Sequence, residues 1–537
     1  MKRNKLSVGQ KFLLLSISLT LITSAMTVVA EEIYHEKHRP QFHYSPHQQW
    51  MNDPNGMVYY EGEYHLFYQY NPYNNIWGPM HWGHAVSKNM LNWEELPIAL
   101  FPDNHGAIFS GSAVIDWKNT SGFGTTKNPP MVAIFTYHDH LAENLKQKTY
   151  QTQGLAYSLD KGRSWTKYEG NPVLTSPDIP DFRDPKVSWY EPGKKWIMTL
   201  AVKDRISFYS SKNLKNWTHE SDFGQGIGGH GGVWECPDLI KMKVKGTDEE
   251  KYVLLVSINP GGPNGGSGTQ YFVGDFDGKE FVLETGFSEL LASDVDTSPE
   301  LIKDGIWLDY GTDNYAGVTW ADVPATDERK LFIGWMNNWQ YANKLPTNRW
   351  RGAMTIPREL QLVKAKQGYR VYSVPVAEIE NQHELLESNE NLVVKKHLDV
   401  TKALGLDTVT QRTTLSVDLQ KAKVLRVIVE NDKDRLIFTI DRNKKQFQLD
   451  RSASGIVDFD SMFSQIQLAP LVDDVGMFTM DFFVDESSIE IFVNNGQTVF
   501  TSLLFPESPY QRVLLETDDT VLLKSAVGYG IEPLWIK

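Results

Sequence analysis

Three segments set an acidic side chain beside a proline, or one residue short of it, in aromatic and Asn- or Gly-rich surroundings. They are Trp50-Met51-Asn52-Asp53-Pro54-Asn55-Gly56, Phe182-Arg183-Asp184-Pro185 and Trp234-Glu235-Cys236-Pro237. Carboxyl groups on restrained turns, far apart in sequence, suit acid–base hydrolysis, above all of the bond between two sugars. In its retaining form two carboxyl groups stand about 5–5.5 Å apart. One attacks the anomeric carbon; the other protonates the leaving oxygen and then activates water.

The settings distribute the roles. Asn52 and Asn55 offer hydrogen bonds that keep Asp53 ionised, as a nucleophile requires. Pro54 and Gly56 make a tight turn, and Trp50 offers a stacking face. Read alone, Asp-Pro-Asn-Gly is also an ordinary turn. Glu235 has apolar neighbours in Val233 and Trp234, and an apolar wall helps an acid keep its proton. Cys236 reads either as a small buried hydrophobe or as a group tuning the site. Asp184 stands next to Arg183, which would hold its charge and orientation; the bland alternative is a surface ion pair.

These residues need rigid elements. Short β-rich runs at 63–70, 131–136, 196–202, 252–258 and 330–335, broken by Gly, Pro, Asn and Asp, predict an all-β architecture. A strand–turn–strand unit recurs: Ala85-Val86-Ser87-Lys88-Asn89-Met90-Leu91-Asn92-Trp93 matches Tyr209-Ser210-Ser211-Lys212-Asn213-Leu214-Lys215-Asn216-Trp217. A third copy, from Tyr157 to Trp165, has the same plan. Such recurrence predicts propeller blades rather than isolated hairpins. Residues 376–388 are charged and helix-permissive, and predict a linker helix. Beyond 389 the pattern alternates, as in Leu415, Val417 and Leu419 or Leu436, Phe438 and Ile440, which predicts a β-sandwich. The expected division is a signal peptide over 1–30, a catalytic propeller over 31–373, a linker over 374–388 and a sandwich over 389–537.

The signal rests on Lys2, Arg3, Lys5 and Lys11, an apolar run from Phe12, and Val28-Val29-Ala30 as a cleavage site. The 537 residues carry a net charge of −14, which becomes −18 without residues 1–30. That disfavours nucleic acid and anionic lipid, and favours a neutral polymer. Twelve per cent of the residues are aromatic, with 16 Trp, which suits sugar stacking. Cys236 is the only cysteine, so no intrachain disulfide forms. No HExxH or other metal constellation is visible, and no cofactor or metal is expected.

Together the motifs resemble glycoside hydrolase family 32, the invertases, inulinases and levanases, and most nearly its secreted bacterial levanases. Phe109-Ser110-Gly111-Ser112 is similar to the family's substrate-binding segment, and Asp485-Glu486-Ser487-Ser488-Ile489-Glu490-Ile491-Phe492 to its sandwich signature. The resemblance implies a five-bladed β-propeller followed by a C-terminal β-sandwich. It implies Asp53 as nucleophile, Glu235 as acid/base and Asp184 as transition-state stabiliser. It further implies Asn52, Gln69, Trp77, Phe109, Ser110, Arg183, Asp313 and Trp335 around a fructosyl unit. The implied activity is release of terminal β-fructofuranosyl units from levan, inulin and sucrose by a secreted enzyme with no membrane association after signal cleavage. A fructosyltransferase, an arabinan-cleaving enzyme and a non-catalytic fructan-binding lectin stay open as alternatives. No motif specifies the oligomeric state.

Overall fold

The computed structural model describes residues 34–291, 305–366 and 368–534. The expected signal peptide lies outside them. The first half forms five sheets in chain order, antiparallel except where the short strand Trp350–Arg351 pairs parallel to the start of the first strand. Blade I runs Gln49–Tyr60, Glu63–Asn71, His81–Ser87 and Trp93–Leu100. Blade II opens with Ala107–Ile115, blade III with Phe182–Tyr190, blade IV with Val233–Lys243 and blade V with Tyr315–Thr319. These five opening strands touch one another in a closed ring, so they line the propeller axis. The ring closes where Ala321, just past the last opening strand, exchanges backbone hydrogen bonds with Met57 and Tyr59 of the first. The strands predicted at 63–70, 131–136, 196–202, 252–258 and 330–335 are all present.

The repeated unit is the turn from third to fourth strand in blades I, II and III. In blade I the Ser87 hydroxyl accepts from Asn89 N, and Asn89 Oδ1 accepts from Leu91 N and Asn92 N. Blade III repeats this with Ser211 and Asn213. The side chains thus satisfy backbone donors that a tight turn would strand. Met90 and Leu214 both adopt a left-handed φ of 64° within that frame.

The second half is two six-stranded sheets packed face to face. Leu415, Val417, Leu425, Val427, Leu436, Phe438 and Ile440 fill the space between them. Two expectations fail in detail. The linker helix shrinks to a 3-10 turn at Ala377–Gln382, and His383–Val394 is a strand paired with Val521–Ile531. Edge pairing outweighs helix propensity there, as tertiary context often does. The alternating strand Ser488–Val493 is buried on both faces, because its polar side packs against the propeller rather than water.

Candidate active site

Each of the five axial strands breaks register at the same end. The irregularities fall at Met51/Pro54, Phe109/Gly111, Arg183/Lys186, Glu235/Asp238 and Tyr315/Val318. A β-bulge re-aims the side chains beside it. Here five bulges turn Asp53, Ser110, Asp184, Glu235 and Tyr315 toward one end of the axis. Asp184, Cys236 and Ala316 take left-handed φ values of 63°, 44° and 53°, strain that tertiary packing holds in place.

The three carboxylates converge. Asp53 Oδ1 accepts from Asn52 Nδ2 at 3.0 Å, and Oδ2 accepts from Ser110 Oγ at 2.9 Å. Asp184 Oδ2 accepts from Cys236 N at 3.0 Å. The Cys236 thiol lies 3.8 Å from Asp53 Oδ2 and 3.6 Å from Asp184 Oδ2, between the two. Glu235 Oε1 accepts a fork from Arg183 Nε and Nη2 at 3.1 and 2.9 Å, and Oε2 accepts from the Tyr315 hydroxyl. Arg183 Nη1 reaches Asp181 Oδ1 at 2.6 Å.

Burial pushes Asp53 above the usual carboxylate range, with the Glu235 charge adding to it and Asn52 and Ser110 opposing. Asp184 is pushed up to about 7, first by burial and then by Glu235 and Asp53, against the pull of Arg183. Burial and the surrounding carboxylates also hold the Cys236 thiol far above its ordinary range, so it is a neutral group. Asp53 and Asp184 thus share a desolvated pocket with like charges, which disfavours the charged form of each.

The pocket holds about 300 Å³, the small end of ligand sites. Of the residues expected there, Asn52, Asp53, Gln69, Trp77, Phe109, Ser110, Arg183, Asp184 and Glu235 line it. Gln69 lines the cavity and is buried, with its Nε2 unpartnered. Asp313 and Trp335 are elsewhere. Asp313 is fully buried and ion-paired to Arg451 of the sandwich at 2.5 Å, with Tyr341 and Leu503 N as further donors. A buried guanidinium takes the nearest carboxylate, and that fixes Asp313 in the domain interface. Trp335 is buried against Trp50 and Trp339, and Trp339 is the ring that lines the cavity.

Three inferred settings change as well. Trp50 is wholly buried and offers no stacking face; its Nε1 donates to Asn52 Oδ1 at 2.7 Å and so orients the amide that binds Asp53. Trp234 gives Glu235 no apolar wall, because adjacent strand residues point to opposite faces. It packs inside blade IV against Phe272, while Glu235 faces donors. Arg183 turns to Glu235 and Asp181 rather than to its neighbour Asp184.

Sequence reasoning missed Tyr315, Asp181, His138, Tyr150 and Trp339. The signal for Tyr315 is positional: like the carboxylates, it sits at the start of an axial strand. His138, His140 and Glu143 form the one potential metal-ligating group among the described residues. Gln151 Oε1 accepts Phe182 N, so its amide nitrogen donates to His138 Nδ1. His138 therefore carries its proton on Nε2 and gives it to Glu143 Oε2 at 3.0 Å. A metal on Nε2 would demand a protonated Nδ1 facing that amide donor, so this group reads as a hydrogen-bonded clasp.

A propeller whose axis ends in three converging carboxylates, backed by a sandwich, defines a glycosidase. The family descriptions "Glycosyl hydrolases family 32 N-terminal domain" and "Glycosyl hydrolases family 32 C terminal" match residues 43–375 and 379–526. The chain belongs to glycosyl hydrolase family 32. It is 45% identical to the levanase of Bacillus subtilis (strain 168) over 98% of this chain and 75% of that protein. It is 38% identical to the extracellular exo-inulinase of Aspergillus awamori, covering 88% of this chain and 91% of that one. The crystal structure of the A. awamori exo-inulinase superposes with a TM-score of 0.80 at 34% identity, covering 94% of this chain and all of that one. The fructofuranosidase of Schwanniomyces occidentalis complexed with fructose gives 0.78 at 29% identity, covering 93% and 99%.

Proposed function

We propose that this protein is a secreted fructan β-fructosidase that removes terminal fructofuranosyl units from levan, and from inulin and sucrose. The carrying observation is the convergence of Asp53, Asp184 and Glu235 in a pocket of about 300 Å³. A pocket that small suits one terminal sugar rather than the middle of a chain. The levanase and exo-inulinase relatives supply the substrate class.

Asp53, oriented by Asn52 and Ser110, attacks the anomeric carbon. Glu235 gives its proton to the departing oxygen, and the fructosyl unit is left bonded to Asp53. Glu235 then takes a proton from water, whose oxygen attacks the same carbon and frees Asp53, with net retention. Asp184 accepts from sugar hydroxyls and offsets positive charge on the ring in the transition state. Arg183 and Tyr315 hold the Glu235 carboxylate, and Gln69 and Asn52 read hydroxyls. Secretion fits the basic and apolar first 30 residues and the extracellular relatives.

The test is product chromatography on levan, inulin and sucrose. Fructose as the sole early product from levan is expected, with Asp53→Ala and Glu235→Ala each losing at least about a thousandfold in kcat while staying folded. A ladder of oligosaccharides, or near-normal turnover in both variants, would overturn the reading.

A further inference from the structure

At the opposite end of the propeller axis lies a second cavity, of about 440 Å³, walled by Trp117, Trp189 and Trp196. Its place follows from the strands. Ala107–Ile115 carries Ser110 near its start and reaches this groove at Ile115; Phe182–Tyr190 carries Asp184 and reaches it at Trp189. At roughly 3.3 Å per residue, five residues along each strand set the two cavities about 16 Å apart.

The three indoles are fixed through their N–H groups. Trp117 Nε1 donates to Asp322 Oδ1 at 2.8 Å, Trp196 Nε1 to Thr120 Oγ1 at 2.8 Å, and Trp189 Nε1 to the Glu191 carboxylate. Asp322 is itself held, accepting Ile115 N at 2.8 Å from a left-handed φ of 56°. What remains for a ligand is chiefly the ring of Trp117, which is 52% exposed, because Trp196 is buried and the Lys118 ammonium lies over the Trp189 ring at 4.4 Å from its centroid. The rim adds carboxylate acceptors at Glu191 and Asp322, the Ser188 hydroxyl, and the Lys118 ammonium.

We propose that this groove is a second carbohydrate-binding site, taking a stretch of the fructan polymer away from the end being cut. The inference rests on the fructan reading above. A rigid ring face flanked by acceptors and donors matches the apolar face and hydroxyl edge of a sugar. Lys118 is neutralised by Glu191 at 3.0 Å, and the chain is acidic overall, so an anionic polymer is disfavoured. The groove is also too small for a stable protein partner, which needs about 800 Å² of surface on each side. Rings already locked lose little freedom on binding.

The test is electrophoresis through gels containing levan, paired with kinetics on levan and on sucrose. Trp117→Ala removes the ring face, and Ser188→Trp fills the groove from an exposed rim position without removing packing. In a Glu235→Ala background, which leaves the polymer intact, both variants should lose most of the retardation by levan, about fivefold or more in apparent Kd. In the active enzyme both should raise KM for levan and leave sucrose turnover unchanged. Unchanged retardation and levan KM in folded Ser188→Trp, with levan still digested, would overturn the second site alone. No fructose from levan by the wild type would overturn the fructan reading, whatever the gels show.

Discussion

Asp184 shows how one residue trades stability for function. Its native pKa of about 7 stands above the ordinary value of 3.8. Between those values the folded state keeps a proton that the unfolded chain releases. Stability therefore falls as pH rises through that window and stays lower above it. Asp184→Asn removes the charge yet can still accept from Cys236 N. The variant should be nearly inactive, match the wild type in Tm near pH 4, and unfold several degrees higher at pH 8. An equal Tm at both pH values would show that the carboxylate is not destabilised.

At the scale of elements, the bulge that aims Asp184 depends on a buried polar chain across blade II. Asp184 N donates to Thr136 Oγ1 at 3.0 Å, Thr136 Oγ1 donates to Gln153 Oε1 at 2.7 Å, and Gln153 Nε2 donates to Phe182 O at 2.8 Å. Thr136→Val keeps the shape and strands both ends of that link. The expected cost is about 1–3 kcal/mol in denaturant unfolding, with a fall in kcat as Asp184 loses its setting. Wild-type stability together with wild-type kcat would mean that the bulge holds itself. The same scale explains the failed linker helix: a charged helix-permissive segment gains more from a full strand ladder with Val521–Ile531 than from local propensity.

Across the whole molecule, buried charge joins propeller to sandwich. Arg358 of blade V pairs with Asp309 and, in the sandwich, Glu490; His43 bridges Glu490 and Asp485 at 2.8 and 2.7 Å. The 485–492 segment is thus a clasp on the propeller. Arg451 makes the second link, to Asp313. Arg451→Met would leave Asp313 buried without its cation, and should destabilise the protein by about 3–5 kcal/mol without touching the pocket. A loss below about 1 kcal/mol would argue that the interface repacks freely. Burial lowers the pKa of His43, but Asp485 and Glu490 together outweigh it and raise it to about 9, which favours the charged form in the fold. Its contribution is complete below the unfolded value of 6.5 and is lost as pH rises through about 9. His43→Gln should flatten the decline of Tm across that window; an unaltered slope would assign it to other groups.

Residue types and periods alone determined much of this protein. The carboxylate-bearing turns, the Ser-to-Trp hairpin repeat and the period-two alternation after 389 are local signals, set by turn chemistry and by which strand face is apolar. They led to three acids, a propeller and a sandwich. Only the tertiary structure decided what each side chain faces. Trp234 and Glu235 are neighbours in sequence but lie on opposite faces of one strand, so the apolar wall read from adjacency is absent. Arg183 bypasses Asp184 because the bulge turns the two apart. Asp313 and Trp335, expected in the pocket, belong to the interface and the core, while from blade V Trp339 lines the pocket and Tyr315 reaches Glu235. Such partners are far apart in sequence, 80 positions for Tyr315 and Glu235, and meet only when five strands close around one axis. No local pattern encodes that closure, and the pocket's electrostatics follow from it.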